Sequence, residues 1–464
     1  MPKALPRLRS LREFLREHRR FFLLWTLLAF AFRIVFLLKF NLLTDDSFVY
    51  GDIAKNWLVH HIYGLSGEFG PEATYIRMPG YPFFLATIWR VTGLEHYHAV
   101  MMVQIVIDVV TCFLIADLAR RLVSERAAKA AFLLSALCPF FANYAAVALT
   151  ETLSIFFAAW AMDATVAALD EPARHGRWAL CGLGLAGGIL IRPDGGMLLA
   201  VIWGYLLFRW FAAPRELRRR LVAGGVLAAV AALAPLIPWT IRNWRVMHLF
   251  QPLTPFYANM PNEFVARGFL RWVRTWMVDY SSVEDVFFHV DGSSVDVDDV
   301  PRRAFDNPQQ LQQTIDAFAA YDDNGNRSTP EIDSQFAALA RERIEAHPFR
   351  YYVELPFLRA ADLWLRPRTE ILPIDSHWWR YRRDPGDFAK ALALAIINLF
   401  YLVLASIALV KGRIRYAALF IFFVLVRTAF MAWMPNPEPR YMLECYPAVL
   451  AMAGGSFTNS DGDN

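Results

Sequence analysis

Three acidic side chains lie where long apolar stretches begin or end. Asp45 and Asp46 follow the first apolar stretch, and Glu151 is the only acid in the segment ALTETLSIFF. A partly desolvated carboxylate gains proton affinity, which suits a general base. The alternative is that these acids only stabilise helix starts. Asp46 would then be a helix N-cap, and Glu151 would lie in the first turn of a helix capped by Thr150, where the helix dipole favours an acid. For Asp46 the local pattern alone favours the cap.

Four arginines stand beside prolines at the ends of apolar stretches. They occur in the segments TYIRMPGYP, GGILIRPDG, PWTIRNW and NPEPRYM, as Arg77, Arg192, Arg242 and Arg440. A guanidinium binds phosphate bidentately, although a single interfacial arginine can equally extend its charge to water. Four of them at one membrane face, with acids nearby, predict a pocket for an anionic lipid headgroup.

Aromatic residues accompany these charges. Asp46, Tyr50, Ile53 and Trp57 recur at helical spacing, which predicts one face of a helix lying along the membrane interface. Beside the arginines stand two further tyrosines, one in RMPGYP and one in PRYM. We therefore predict a substrate pocket lined by Tyr50, Tyr81 and Tyr441.

The composition indicates which elements position these residues. Of 464 residues, 56% are hydrophobic and 19% are charged, against roughly 45–50% and about 25% in soluble domains. The four cysteines lie in or beside apolar stretches, so neither a disulfide framework nor a zinc cluster is indicated. We predict an all-α polytopic membrane protein with about ten spans. The candidate spans are 21–40, 99–119, 128–148, 151–169, 178–192, 195–211, 221–241, 389–410, 416–434 and 441–456.

The distribution of Lys and Arg predicts the orientation. Seven of them lie in the first 20 residues, and the others in short loops fall on the same side if ten helices alternate. That side is cytoplasmic, and it holds both termini. Two large outer loops then follow, 41–98 and 242–388. The predicted organisation is a cytoplasmic basic segment, an N-terminal transmembrane module, an extracytoplasmic insertion, C-terminal transmembrane helices and a cytoplasmic tail: 1–20, 21–241, 242–388, 389–456 and 457–464.

Charged residues within the apolar stretches need partners, because each costs about 2.5–3.5 kcal/mol on insertion. Arg33 and Asp108 lie midway along adjacent spans, and we predict that they pair. For Asp163 an interhelical ion pair is likewise favoured over a polar groove. For Arg427 both interpretations stay open.

The ordered motifs resemble a known family. DDSFVYGDIAKN, RMPGYP, LTETL, GGILIRPDG, PWTIRNW and EAHPFRYYVELP are similar to segments of GT-C membrane glycosyltransferases of family 39, the protein O-mannosyltransferase and aminoarabinose-transferase type. The resemblance covers about residues 41–450. It implies that Asp46 is the general base, that Arg77 holds the donor phosphate, and that Glu151 is the acid at the third–fourth span junction. It also implies basic donor-pocket positions at Arg192 and Arg440.

One departure affects the choice of base. Several relatives have an Asp-Glu pair where this chain has Asp46-Ser47, and Asp45 precedes it. The base is therefore either Asp45 or Asp46 at this point. No cofactor is required, since arginines can neutralise the leaving phosphate, although a divalent cation could bind Asp45 and Asp46.

The resemblance implies an inner-membrane enzyme whose active site is extracytoplasmic. It would transfer a sugar, with inversion, from a polyprenyl-phosphate donor to a hydroxyl acceptor. Its partners would be that donor, the acceptor and the bilayer, and not nucleic acid. The alternative is a flippase or transporter of lipid-linked sugars. Transporters often contain internal repeats, whereas here seven spans precede the large outer insertion and about three follow it.

Overall fold

The computed structural model describes residues 10–412 and 414–458, and this part of the chain is predominantly helical. Its two strands, Gly64–Gly67 and Gly70–Ala73, form an antiparallel hairpin. The predicted helical membrane fold is confirmed, with this hairpin as a small addition. Lys3, Arg7, Arg9, Arg413 and the predicted tail beyond 458 lie outside the described residues.

The chain divides into two compact units. The first comprises residues 1–255, 399–423 and 444–464, and the second comprises residues 256–398 and 424–443. The α-helices up to residue 255 are Leu11–Glu17, Arg19–Phe40, Asp45–His60, Gly80–Thr92, Tyr97–Leu122, Glu125–Ala136, Pro139–Ala145, Glu151–Asp170, His175–Ile191, Gly196–Ala212, Arg215–Leu233 and Leu236–Met247. The later ones are Arg267–Val273, Tyr280–Asp285, Pro308–Asp323, Pro330–Ala346, Leu355–Leu365, Pro385–Val410, Ala417–Ala432 and Tyr446–Gly454.

Several helices are long and apolar enough to cross a membrane. Six segments in the described part of the chain meet this requirement: Arg19–Phe40, Tyr97–Leu122, Glu151–Asp170, Pro193–Ala212, Arg215–Met247 and Pro385–Val410. Pro193–Ala212 includes the short turn before Gly196, and Arg215–Met247 joins two consecutive helices. A pair of helices bent by 51°, Glu125–Ala136 and Pro139–Ala145, would make a seventh. The other three predicted spans correspond to helices shorter than about 20 residues, namely His175–Ile191, Ala417–Ala432 and Tyr446–Gly454. The chain is thus a polytopic membrane protein, and the count of ten stays a prediction.

Buried ion pairs hold the first unit together. Arg33 Nε donates to Asp108 Oδ2 at 2.5 Å, and both side chains are fully buried. Arg33 also donates to the carbonyl of Ala136 at 2.7 Å. Arg121 Nε donates to Asp163 Oδ1 at 2.9 Å. The predicted pairing of Arg33 with Asp108 and the interhelical pair at Asp163 are confirmed. Removing one partner of such a pair typically costs about 3–5 kcal/mol.

The second unit has an aromatic core. Phe269, Trp272, Phe318 and Phe336 pack together with ring centroids 5.1–6.0 Å apart. Three of the four ring pairs meet edge-on, an arrangement that aromatic pairs prefer. Arg427 belongs to this unit, is fully buried, and donates from Nε to the carbonyl of Tyr441 at 2.7 Å. That bond anchors the guanidinium to backbone.

Candidate active site

The helix that carries Asp46 begins at a threonine cap. Thr44 Oγ1 accepts a hydrogen bond from the Ser47 amide, and Ser47 Oγ accepts one from the Thr44 amide. These reciprocal bonds form a capping box, which satisfies donors at the helix start. The interpretation of Asp46 as the N-cap is therefore wrong. Asp45 and Asp46 occupy the first helical turn instead, with Asp45 exposed.

Asp46 forms an ion pair with Arg77. Arg77 Nη2 donates to Asp46 Oδ1 at 2.9 Å, and the side chains are 23% and 33% exposed, respectively. The Arg77 guanidinium carbon lies 5.6 Å from the centroid of the Tyr50 ring. The predicted base and the predicted phosphate ligand are thus in direct contact. Asp46 is thus partly exposed, and it has a cationic partner.

The turn after Arg77 is held tightly in place. Tyr63 Oη donates to the carbonyl of Arg77 at 2.9 Å. A Cβ atom at Gly80 would lie 2.5 Å from the carbonyl oxygen of Leu190, closer than such atoms can approach. Only glycine permits this contact at the start of helix Gly80–Thr92. The turn therefore packs against the chain two residues before Arg192.

Tyr50 lies beside two charge pairs, Asp46–Arg77 and Glu151–Arg192. Its ring meets the ring of Tyr81 edge-on at 5.0 Å. Tyr81 is fully buried behind it, and its Oη donates to Gln104 Oε1 at 2.8 Å. Burial, modified by the charges of Arg77, Asp46, Arg192 and Glu151, raises the pKa of Tyr50 to about 12. The two pairs thus act electrostatically on one tyrosine hydroxyl.

The second pair joins Glu151 to Arg192. Arg192 Nη1 lies 3.2 Å from Glu151 Oε1, and Arg192 Nε lies 3.1 Å from Asp194 Oδ1 and 3.9 Å from Glu444 Oε1. Thr150 takes the N-cap position without a side-chain capping bond, and its Oγ1 lies 3.5 Å from Arg192 Nη1. One guanidinium thus faces three carboxylates. Sequence reasoning missed Asp194, which the motif IRPDG contains, and Glu444, for which no local signal exists.

Arg242 has contacts of another kind. Its Nη1 and Nη2 donate to the backbone carbonyls of Thr74 and Tyr63, each at 2.6 Å. The guanidinium also lies 5.2 Å and 5.3 Å from the ring centroids of Tyr63 and Trp239. These bonds fix the chain on either side of the hairpin to helix Leu236–Met247. A role for Arg242 in phosphate binding stays a prediction.

Arg440 and Tyr441 lie in the second unit. Arg440 Nε lies 2.6 Å from Glu438 Oε2, and Tyr441 Oη donates to Glu438 Oε1 at 2.6 Å. Asn436 Nδ2 donates to the same Glu438 oxygen at 2.9 Å. The buried Glu438 carboxylate therefore organises both predicted residues.

A cavity opens beside the Glu151–Arg192 pair. It encloses about 300 Å³, including some open solvent, and its lining is largely apolar with three glycines: Ser154, Phe157, Ala158, Ala161, Gly184, Leu185, Gly188, Gly195, Leu198, Phe423 and Glu444. Glu444, which also approaches Arg192, supplies charge to this lining. The lining thus combines apolar side chains with one carboxylate.

The chain is similar to known membrane glycosyltransferases in sequence and in fold. Residues 77–239 match the family model of dolichyl-phosphate-mannose-protein mannosyltransferases. The archaeal oligosaccharyltransferase AglB from Archaeoglobus fulgidus, solved with an inhibitory peptide and a dolichol-phosphate, is similar with a TM-score of 0.51 and 12% identity. That similarity covers 94% of this chain and 50% of AglB. The chain has the GT-C fold.

The family match over residues 77–239 confirms the resemblance predicted from the motifs. ArnT from Cupriavidus metallidurans, bound to undecaprenyl phosphate, is similar at 15% identity over 94% of this chain and 77% of that one, with a TM-score of 0.43. The GT-C chain spans about half the length of AglB. A search of curated proteins returns no match.

The matched stretch contains part of the candidate active site of this GT-C chain. Arg77, Tyr81, Glu151 and Arg192 fall within residues 77–239, whereas the other predicted site residues fall outside it: Asp45, Asp46, Tyr50, Arg242, Arg440 and Tyr441. Among residues 10–412 and 414–458, no group of three or more His, Cys, Asp or Glu side chains is arranged to hold a metal ion. A divalent cation at Asp45 and Asp46 stays a prediction.

Proposed function

We propose that this GT-C chain transfers a sugar from a polyprenyl-phosphate donor to an acceptor hydroxyl on the extracytoplasmic side of the membrane. The observation that carries the proposal is the contact of 2.9 Å between Asp46 and Arg77 beside Tyr50. It pairs a carboxylate able to accept a proton with a guanidinium able to bind phosphate. The family match over residues 77–239 and the GT-C fold support the same reaction class.

The proposed reaction is a single displacement. The acceptor oxygen attacks the anomeric carbon while the bond from that carbon to the phosphate oxygen breaks, so the anomeric configuration inverts. Asp46 takes the acceptor proton, and Arg77 and Arg192 stabilise the negative charge that develops on the departing polyprenyl phosphate. Asp45 is exposed, whereas Asp46 contacts Arg77. This difference favours Asp46 as the base.

The cavity beside Arg192 supplies a place for the lipid. In the proposal, the first isoprene units of the donor lie at the open mouth of this cavity near Gly188, and the phosphate lies toward Arg192. Apolar burial of this kind contributes about 25 cal/mol per Å². Glu151 positions Arg192 rather than contacting the sugar.

Proteoliposomes containing the chain test the proposal. The probe is undecaprenyl phosphate carrying a radiolabelled sugar, mixed with a cell-envelope extract as the source of acceptor. Transfer is measured as label released from the carrier into a non-lipid or glycolipid product. We expect transfer by the unmodified chain and a loss of about 10²–10⁴-fold in Asp46→Asn. Arg77→Gln should lose transfer and bind undecaprenyl phosphate more weakly.

Two control variants test whether the loss of transfer is specific to Asp46 and Arg77. Asp45→Asn removes the neighbouring exposed carboxylate, and Arg90→Gln removes an exposed arginine later on the helix that follows Arg77; both should retain transfer. A loss confined to Asp45→Asn would reassign the base. Movement of labelled carrier across the bilayer without any transfer would overturn the enzyme proposal in favour of a transporter.

A further inference from the structure

The helical segment 349–365 in the second unit has an exposed apolar face. It consists of a π-helical turn, Arg350–Glu354, followed by helix Leu355–Leu365. Its large apolar side chains that are 37–73% exposed recur at helical spacing: Phe349, Tyr352, Val353, Phe357, Leu358 and Leu365. Contiguous apolar faces of this size indicate a protein or membrane partner.

Two hydrogen bonds place the end of this segment at a particular depth. Asn398 Nδ2 donates to the carbonyl of Trp364 at 2.6 Å, and Trp364 Nε1 donates to Thr428 Oγ1 at 2.9 Å. Asn398 lies 12 residues before Val410, where its long apolar helix ends. Thr428 lies 11 residues after Ala417, where the next apolar helix begins.

Asn398 and Thr428 lie at about the same distance along their helices. At about 1.5 Å per residue, Asn398 and Thr428 each lie about 17–18 Å from the connected ends of their helices. The hydrocarbon layer is about 30 Å thick. With Val410 and Ala417 at the boundary of that layer, this distance places Trp364 near its middle. Asn and Thr side chains often form such hydrogen bonds between helices within membranes.

The opposite face of the segment keeps its charge away from lipid. Arg359 is fully buried, and its guanidinium donates to the carbonyls of Met277 at 2.7 Å, Ala432 at 3.2 Å and Arg274. Among the described exposed positions of 349–365, the one charged residue is Glu354. It precedes Trp364 by ten residues, which corresponds to about 15 Å along a helix, so it can remain near the headgroups.

We propose that residues 349–365 form a re-entrant membrane segment that enters from the interface near Glu354 and reaches the middle of the bilayer near Trp364. The partner of its exposed face is the lipid acyl chains. A helical backbone satisfies its own hydrogen bonds, and the contacts with Asn398 and Thr428 cover polar groups at its inner end, as the bilayer interior demands. The predicted extracytoplasmic insertion 242–388 then includes a membrane-embedded part.

Depth measurements on spin labels test this segment. Tyr352→Cys, Leu358→Cys and Leu365→Cys in the full chain would carry a nitroxide, in palmitoyl-oleoyl phosphatidylcholine vesicles. Power saturation compares collisions with oxygen, which concentrates in lipid, and with the water-soluble nickel complex NiEDDA. We expect several-fold higher oxygen-to-nickel ratios at 358 and 365 than in water, with depth increasing from 352 to 365. The unsubstituted chain, whose four cysteines are buried, gives the labelling background.

Two reference positions calibrate the result. Gln313→Cys is exposed on helix Pro308–Asp323 and reports water, and Leu392→Cys is exposed on Pro385–Val410 and reports lipid. Labels at 358 and 365 that collide with nickel as often as the label at 313 would overturn the proposal. Equal shallow depths at 352, 358 and 365 would also overturn it, since they indicate a helix lying flat on the surface. The measurement requires no sugar transfer, so it is independent of the proposed function.

Discussion

Arg192 and Glu151 are 41 residues apart in sequence, yet their charged atoms lie 3.2 Å from each other at the ends of two packed helices. Asp194 and Glu444 approach the same guanidinium at 3.1 Å and 3.9 Å. One guanidinium therefore faces three carboxylates, and the side chains of Glu151 and Glu444 are largely buried. Arg192 is the residue on which this cluster depends.

A double-mutant cycle measures that dependence. Arg192→Met should lower the free energy of unfolding by about 3–5 kcal/mol, because it removes the guanidinium that faces the buried carboxylates of Glu151 and Glu444. Glu151→Gln should cost less, about 1–3 kcal/mol, because two carboxylates still face Arg192. The double variant should be less destabilised than the sum, with a coupling of about 0.5–3 kcal/mol. Denaturant unfolding in detergent gives the values, with the exposed Arg245→Met as control. Additive effects would contradict the pairing.

Gly80 offers a test of how Arg77 is positioned. In Gly80→Ala the new Cβ would meet the Leu190 carbonyl at 2.5 Å. Backbone must then move, which typically costs about 1–3 kcal/mol, and we expect sugar transfer to fall because Arg77 moves with the turn. The matched control is Gly176→Ala, also at a helix start, where nothing lies within 4 Å of the new atom. Thermal midpoints and transfer rates of both variants check this. Equal behaviour of the two would contradict the proposed positioning.

Part of this architecture follows from the sequence by simple physical rules. Hydrophobic length reveals the longer spans, and a similar expected depth in adjacent helices is enough to pair Arg33 with Asp108. The cap was predicted wrongly because Thr44 and Asp46 are both good N-cap residues. Local pattern does not choose between them, and the reciprocal bonds of Thr44 with Ser47 decide it.

Other features of the site lie beyond local sequence rules. Glu444 reaches Arg192 because the last α-helix, Tyr446–Gly454, packs beside Glu151–Asp170. The residues next to Glu444 in sequence give no indication of that contact. Arg242 resembles the other proline-flanked arginines in sequence, yet its bonds go to the carbonyls of Thr74 and Tyr63. Four arginines with one sequence pattern thus have different surroundings. Tertiary packing, rather than residue type, determines them.

The cavity lining leads to a prediction about donor binding. A Cβ at Gly188 would lie 3.8 Å from Phe157 Cβ, an ordinary contact, so Gly188→Ala should fold and bind normally. In Gly188→Leu the larger side chain would fill space in the cavity. We expect it to bind undecaprenyl phosphate about 10-fold more weakly, equivalent to about 1.4 kcal/mol. The thermal midpoint, measured beside the affinity, separates lost binding from overpacking. Titration followed by native mass spectrometry measures binding. Unchanged affinity in Gly188→Leu would place the lipid elsewhere.

The contacts of Asp306 lead to a prediction about how the stability of the second unit changes at acid pH. Its carboxylate accepts bonds from both terminal nitrogens of Arg350, at 2.7 and 2.9 Å, and lies 3.2 Å from Arg343. Burial alone would raise the pKa of Asp306, but the bond from Arg350 and the positive charges outweigh it and lower that pKa. The folded pKa lies below the unfolded value of about 3.9. The pair therefore stabilises the fold fully above that value, and its contribution is lost as pH falls through the folded pKa. Asp306→Asn should cost about 1–3 kcal/mol at pH 7 and should flatten the decline of the thermal midpoint below pH 4.

Asp316→Asn, which removes an exposed carboxylate bonded only locally to Gln312, should leave the midpoint and its acid dependence as in the unmodified chain. The same acid slope with and without Asp306 would show that its contacts with Arg350 and Arg343 contribute nothing to stability.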